Sequence, residues 1–266
     1  MTSWTTGTIK ANDITLHYHR TGGDKPPLVL CHGITDAGLA WTRIAQAWQD
    51  HFDMIMVDAR GHGRSDKPEH GYSAAGHAAD VAGLIEGLGL GQPALIGHSM
   101  GASSVAVLAG HYPHLVKRIV LEDPPWRDSE QPAADRRTHF QELIARYQTM
   151  TRAEIVAYGR ENNPTWDDEA LWIWSEGKTL VSPNVTGFIS EPAAPWQTVA
   201  AKISCPTLLV TGDPAAGAIV SPETAAALAA AQPNIQIAHI SGAGHNIRRD
   251  QLAAYLEVVS TFLQQD

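Results

Sequence analysis

The chain has 266 residues, 44% of them hydrophobic, and 19 Lys and Arg against 28 Asp and Glu give it a formal charge of −9 at pH 7. A chain of this size buries one sizeable core, and without any run of Lys or Arg it offers no surface for nucleic acid or an anionic membrane, so the expected partner is a small molecule. Its two cysteines, Cys31 and Cys205, lie in apolar strand-like runs and read as buried thiols rather than a disulfide or a metal pair, and Met1 opens no basic and apolar leader, which predicts a cytoplasmic protein.

Two strands are predicted around 6–10 and 14–20, and Asn12-Asp13 between them favours a tight hairpin turn. The pattern then changes to continuous apolar runs at 28–31, 54–58, 94–96 and 119–121, separated by helical stretches at about 41–49, 73–88 and 101–110. Apolarity without alternation means a strand covered on both faces, and strands alternating with helices mean a doubly wound parallel sheet. Across 123–197 the alternation stops. That stretch holds five of the eight tryptophans, has helical pieces near 136–148, 153–159 and 168–176, and is broken by Pro164, Pro183, Pro192 and Pro195. It reads as a helical cap inserted into a core made of 1–122 and 198–266. The core resumes with a strand at 206–210, a helix at 222–231, a strand at 235–240 and a closing amphipathic helix at 250–263.

Gly97-His98-Ser99-Met100-Gly101 lies between the strand at 94–96 and the helix that follows. A Gly-x-Ser-x-Gly run in that context is a nucleophile elbow: the turn is sharp enough to strain the serine, and it is tolerated only where the residues two before and two after lack side chains. Ser99 is the candidate nucleophile. The Met100 amide, at a helix N-terminus, is placed to stabilise negative charge.

Four segments occur in the order and approximate spacing found in α/β-hydrolases: the strand ending in His32-Gly33, Asp58-Ala59-Arg60-Gly61-His62-Gly63-Arg64-Ser65, the elbow, and Gly242-Ala243-Gly244-His245. The chain resembles that superfamily over nearly its whole length. The resemblance implies an eight-stranded, mostly parallel α/β sheet with a helical insertion, His245 as general base, and an oxyanion hole formed by the amides of Ile34 and Met100. It implies no cofactor. Most relatives carry the triad acid after the seventh strand as Gly-x-x-Asp, but here that segment reads Gly212-Asp213-Pro214-Ala215. Two aspartates therefore compete: Asp213, early in that turn, and Asp123, at the end of the sixth strand, where pancreatic lipases and zearalenone-lactonase-like enzymes place the acid. Asp123 is preferred, and Glu122 ranks third because strand alternation points it to the opposite face.

These residues describe a serine hydrolase that cleaves a carboxylic ester or lactone of a hydrophobic small molecule through an acyl-enzyme. Serine at position 99 argues against dehalogenase and epoxide hydrolase chemistry, which in related enzymes uses a carboxylate nucleophile. The tryptophans suggest an apolar pocket, with Trp126 and Trp41 as candidate walls. The competing readings are a carbon–carbon bond hydrolase, a cofactor-free perhydrolase and a non-catalytic ligand receptor of the same fold. His17 and His19 share a strand face, but no carboxylate at ligand spacing accompanies them in sequence, and they read as structural. Sequence leaves the oligomeric state open.

Overall fold

Asn12 and Asp13 both adopt left-handed backbone, with φ of 50° and 65°, the conformation that a two-residue type I′ hairpin requires. They join β1 (Thr5–Ala11) to β2 (Ile14–Arg20) in the predicted antiparallel pair. The computed structural model describes residues 4–127, 133–191 and 194–265, so the first three residues and the predicted breaker Pro192 lie outside the described residues. The sheet continues with β3 (Pro27–Cys31), β4 (Asp53–Val57), β5 (Ala94–His98), β6 (Arg118–Glu122), β7 (Thr207–Thr211) and β8 (Ile235–His239). Its spatial order is β1-β2-β4-β3-β5-β6-β7-β8, and β2 alone runs against its neighbours. Every residue of β4, β5, β6 and β7 is buried, which is why these strands read as unbroken apolar runs.

The strand period of two sends alternate side chains to opposite faces. Val29, Leu95, Ile119 and Leu209 pack against α2 (Ala74–Gly87) and α3 (Met100–His111), whereas Leu30, Ile96, Val120 and Leu208 pack against α1 (Thr42–Trp48) and the C-terminal helices. Between β6 and β7 stand α4 (Ala133–Thr149), α5 (Arg152–Asn162), α6 (Asp168–Glu176), α7 (Gly187–Ser190) and α8 (Trp196–Ala200). The Thr151 and Glu154 side chains form a capping box on α5, and Asp167 caps α6. After β7 come α9 (Pro222–Ala231), α10 (Ile247–Asp250) and α11 (Leu252–Leu263). The closing helix predicted over 250–263 is α11, which starts two residues later, after Gln251, whose φ of −138° and ψ of 61° are not helical and separate it from the short α10. Among the described residues no helix is long and apolar enough to cross a membrane.

Most of the tryptophans are packed into cores, whereas Trp172 is exposed. Trp166 and Trp174 form a core for the insertion with Tyr147, Ile155 and Leu171. Trp126, expected as a pocket wall, is turned into the main core and stacks on Trp196 at 6.1 Å between ring centroids. Trp41, the other expected wall, is fully buried, with the Arg248 guanidinium 4.1 Å above its ring. Both are corrected to core residues: a strand-flanking indole covers more apolar surface against the sheet than it could at a cleft. Replacing Trp41 with Ala is expected to cost about 3–5 kcal/mol in urea unfolding, whereas Trp172→Ala, at an exposed site, stays within about 1 kcal/mol.

Candidate active site

Ser99 follows β5 and caps α3 with φ 53° and ψ −114°, a conformation that non-glycine residues rarely hold. Its surroundings enforce the turn. A Cβ on Gly97 would stand 2.4 Å from the Gly101 carbonyl oxygen, and one on Gly101 would stand 2.3 Å from that of Cys31, so both flanking glycines are required by backbone approach. From Pro93 to Ala106 only Ser99 escapes burial.

Pairing of β5 with β6 ends at His98 opposite Glu122, and the Ser99 amide donates to the Glu122 carbonyl at 2.9 Å. Ser99 and Asp123 therefore follow at the same level on adjacent strands, about 5 Å apart along the sheet. Asp123 also has positive φ, 43°, which aspartate tolerates better than most residues. Its carboxylate is fully buried and accepts from the Ile219 amide at 3.0 and 2.9 Å, from the Val220 amide at 3.0 Å, and from His245 Nδ1 at 2.6 Å. That bond puts the imidazole proton on Nδ1 and leaves Nε2 as the basic nitrogen.

Asp213 goes elsewhere. It accepts from His239 Nε2 at 2.9 Å and from the Gly242 amide at 2.6 Å, and so braces the turn that leads to His245. Glu122 points to the other face, as alternation requires, and holds the Arg248 amide and guanidinium, each at 3.0 Å. Of the three candidate acids, the structure brings only Asp123 to the imidazole.

The loop after β3 turns tightly, with the Asp36 amide donating to the Gly33 carbonyl at 3.0 Å. His62 Nε2 meets the Ile34 carbonyl at 2.7 Å, and His32 Nδ1 meets the Gly33 carbonyl at 2.8 Å. Among the described residues no acceptor takes the amide of Ile34 or of Met100. Two such donors flanking a partly exposed serine suit a developing oxyanion. His98, buried beside Ser99, donates from Nε2 to the His245 carbonyl at 2.9 Å, and the two rings lie 4.7 Å apart. Burial, reinforced by Arg248 and His245, drives its pKa well below the usual histidine value and keeps it neutral.

A buried ion network, which sequence reading missed, ties these loops together. Asp36 pairs with Lys178 at 2.6 Å and Arg249 at 2.9 Å, with Arg248 at 3.6 Å, while Arg248 also holds Glu122. Burial opposes the charge on Asp36, but Arg249, Lys178 and Arg248 hold its pKa well below the usual carboxylate range. His17 and His19 do meet a carboxylate, Asp58, with candidate ligand atoms of all three within 4.8 Å of one another. Asp58 is already occupied by the Gly38 amide at 2.7 Å, the Arg64 amide at 3.0 Å and His17 Nδ1 at 2.9 Å, which accounts for the group as a loop anchor.

Beside this geometry of a serine on a strained elbow and an Asp-His pair, the sequence over residues 26–248 matches a family model described as the alpha/beta hydrolase fold. The chain belongs to that family. It is 29% identical over 263 residues to N-formylmaleamate deformylase of Pseudomonas putida, covering 97% of this chain and 96% of the relative. It is also 29% identical to 2-(acetamidomethylene)succinate hydrolase of Mesorhizobium japonicum, covering 92% and 90%. The crystal structure of an E-2-(acetamidomethylene)succinate hydrolase superposes with a TM-score of 0.84 at 26% identity, covering 99% of this chain and all of that one. The chain is thus a hydrolase of this fold. Asp123→Asn is expected to lower kcat on an activated ester by about 10⁴-fold; Asp213→Asn, which keeps the pairing of Asp123 with His245, changes it by less than about tenfold. Steady-state kinetics of the two variants checks this.

Proposed function

We propose that the protein is a serine acyl hydrolase that works through a covalent acyl-enzyme. The observation that carries this reading is the 2.6 Å bond from His245 Nδ1 to the buried Asp123, formed one strand away from Ser99. His245 Nε2 takes the Ser99 proton as Oγ attacks the carbonyl carbon, and the amides of Ile34 and Met100 receive the oxyanion. The tetrahedral adduct collapses as His245 passes the proton to the leaving oxygen or nitrogen. Water, deprotonated by the same nitrogen, then attacks the ester on Ser99 and frees the acid and the enzyme.

The substrate we propose carries a short acyl group on a small polar acid, joined through nitrogen or oxygen. The similarity over more than nine-tenths of the chain to proteins named for N-formylmaleamate and 2-(acetamidomethylene)succinate supports an N-formyl or N-acetyl group. Packing of Trp41, Trp126, Trp166 and Trp174 into cores weighs against a large apolar acyl pocket. A second reading, cleavage of a carboxylic ester or lactone, uses the same machinery with an easier leaving group.

Mixing the protein with p-nitrophenyl acetate is expected to release a burst of p-nitrophenol equal to the enzyme concentration, absent in Ser99→Ala. Rates on a panel of N-formyl and N-acetyl enamides of small dicarboxylic acids, beside aliphatic esters and lactones, then rank the leaving groups. A Ser99→Ala variant that retains the wild-type rate contradicts the mechanism, and a preference for long-chain esters contradicts the proposed substrate.

A further inference from the structure

Lys178 belongs to the β6–β7 insertion, in the 3₁₀ turn Lys178–Leu180 that follows α6, yet its ammonium ends in the loop that carries Ile34. Nζ donates to the Thr35 carbonyl at 2.8 Å, the Thr35 hydroxyl at 3.2 Å and Asp36 Oδ1 at 2.6 Å. Three N–H donors meet three acceptors, and the residue has no exposed surface. Gly177 seats the same turn on the same loop, since a Cβ there would come 2.9 Å from the Ala37 amide nitrogen and 3.1 Å from the Asp36 carbonyl carbon. The Trp174 ring lies 4.5 Å from the ammonium.

Burying an ammonium is costly unless every donor is used. A lysine serving only to fasten the insertion could have paired at the surface. Here it grips the two residues that follow Ile34 inside the turn closed by the bond from the Asp36 amide to the Gly33 carbonyl. The direction of the Ile34 amide depends on that turn.

We propose that Lys178 is a positioning residue for the oxyanion site, through which the insertion sets the Ile34 amide by holding Thr35 and Asp36. The proposal rests on the acyl-enzyme reading above. An oxyanion exists only in the transition state, so misplacing its donor lowers kcat and leaves KM nearly unchanged.

The groups facing the ammonium are Thr35, Asp36 and the nearby His32 from the loop after β3, Arg248 and Arg249 from α10, Tyr147 from α4 and Trp174 from α6. Burial pulls the lysine pKa down to about 8, against the attraction of Asp36. As pH rises through that value the ammonium is lost, and kcat falls on the alkaline side. Arginine does not titrate there.

The test measures kcat and KM against pH for wild type, Lys178→Met and Lys178→Arg with p-nitrophenyl acetate, with melting curves and fluorophosphonate labelling of each. Losing an oxyanion donor outright costs about 10²–10³ in kcat, so a misplaced one in Lys178→Met is expected to cost about 10–100-fold, with KM within about threefold. Lys178→Arg is expected to recover most of kcat and to move the alkaline limb to higher pH. A folded Lys178→Met with wild-type kcat overturns the proposal, as does a loss confined to KM, or an alkaline limb that coincides in wild type and Lys178→Arg. If neither variant folds, Thr35→Val, which removes the hydroxyl that accepts from the ammonium at 3.2 Å, is read in the same way: a lowered kcat at constant KM supports the proposal, and a folded variant with wild-type kcat overturns it. Wild-type protein that neither labels nor shows a burst overturns the acyl-enzyme reading and this proposal with it, whereas labelled wild type beside an unaffected variant overturns this proposal alone.

Discussion

A carboxylate with no access to water has to be solvated by the protein itself, and Asp123 imposes that demand at the centre of the site. It lies at the end of β6 with no exposed surface. Charge burial of this kind costs several kcal/mol unless hydrogen bonds replace the lost water. The replacements come from two other places in the chain: the amides of Ile219 and Val220 beyond β7, and the Nδ1 proton of His245 beyond β8. Satisfying one buried oxygen pair thus fixes where two loops run and which nitrogen of the imidazole is left basic.

The position of the acid explains the departure after β7. Relatives that carry the carboxylate there need the loop for its side chain, but this chain uses the same loop for its backbone donors. Asp213, which retains an acidic residue in that turn, is drawn to His239 and the Gly242 amide and supports the base loop from below. The His245 imidazole is anchored by a carboxylate on β6, the strand beside β5 and Ser99.

Much of this was legible in the sequence because it is written in periodicity and in glycines. Buried strands appear as unbroken apolar runs, and Gly97 and Gly101 mark a close approach that only an elbow needs. The choice of Asp123 over Asp213 followed from alanine at position 215, where the resemblance expects an aspartate, and from the relatives that place the acid after the sixth strand, while strand alternation set Glu122 on the opposite face, where it meets Arg248. What could not be read was whatever depends on backbone donors or on distant pairing. The amides of Ile219 and Val220 have no side-chain signature, and nothing near Lys178 announces that it crosses to Thr35 and Asp36. The tryptophans misled for a related reason: composition shows that indoles are present, but only packing shows that Trp41 and Trp126 face a core. Arg248 and Arg249, three and four residues after His245, had a trace in sequence as an adjacent basic pair, though not one that names Asp36 as their partner.

The insertion grips the site at two points, through Lys178 on the loop after β3 and through Trp166, whose indole donates to Asp250 at 2.6 Å while Asp250 accepts the Gly244 amide beside His245. The insertion thus contacts both the loop that carries Ile34 and the loop that carries His245. The central claim remains that the hydroxyl of Ser99 is the atom acylated, with His245 as its base. Acid quench during turnover of an acetyl ester, followed by intact-mass and peptide analysis, tests it most directly. The account predicts one acetyl group per chain on the peptide containing Ser99 and none on His245→Ala. An acetyl group on any other residue, or turnover without an acylated intermediate, would contradict it.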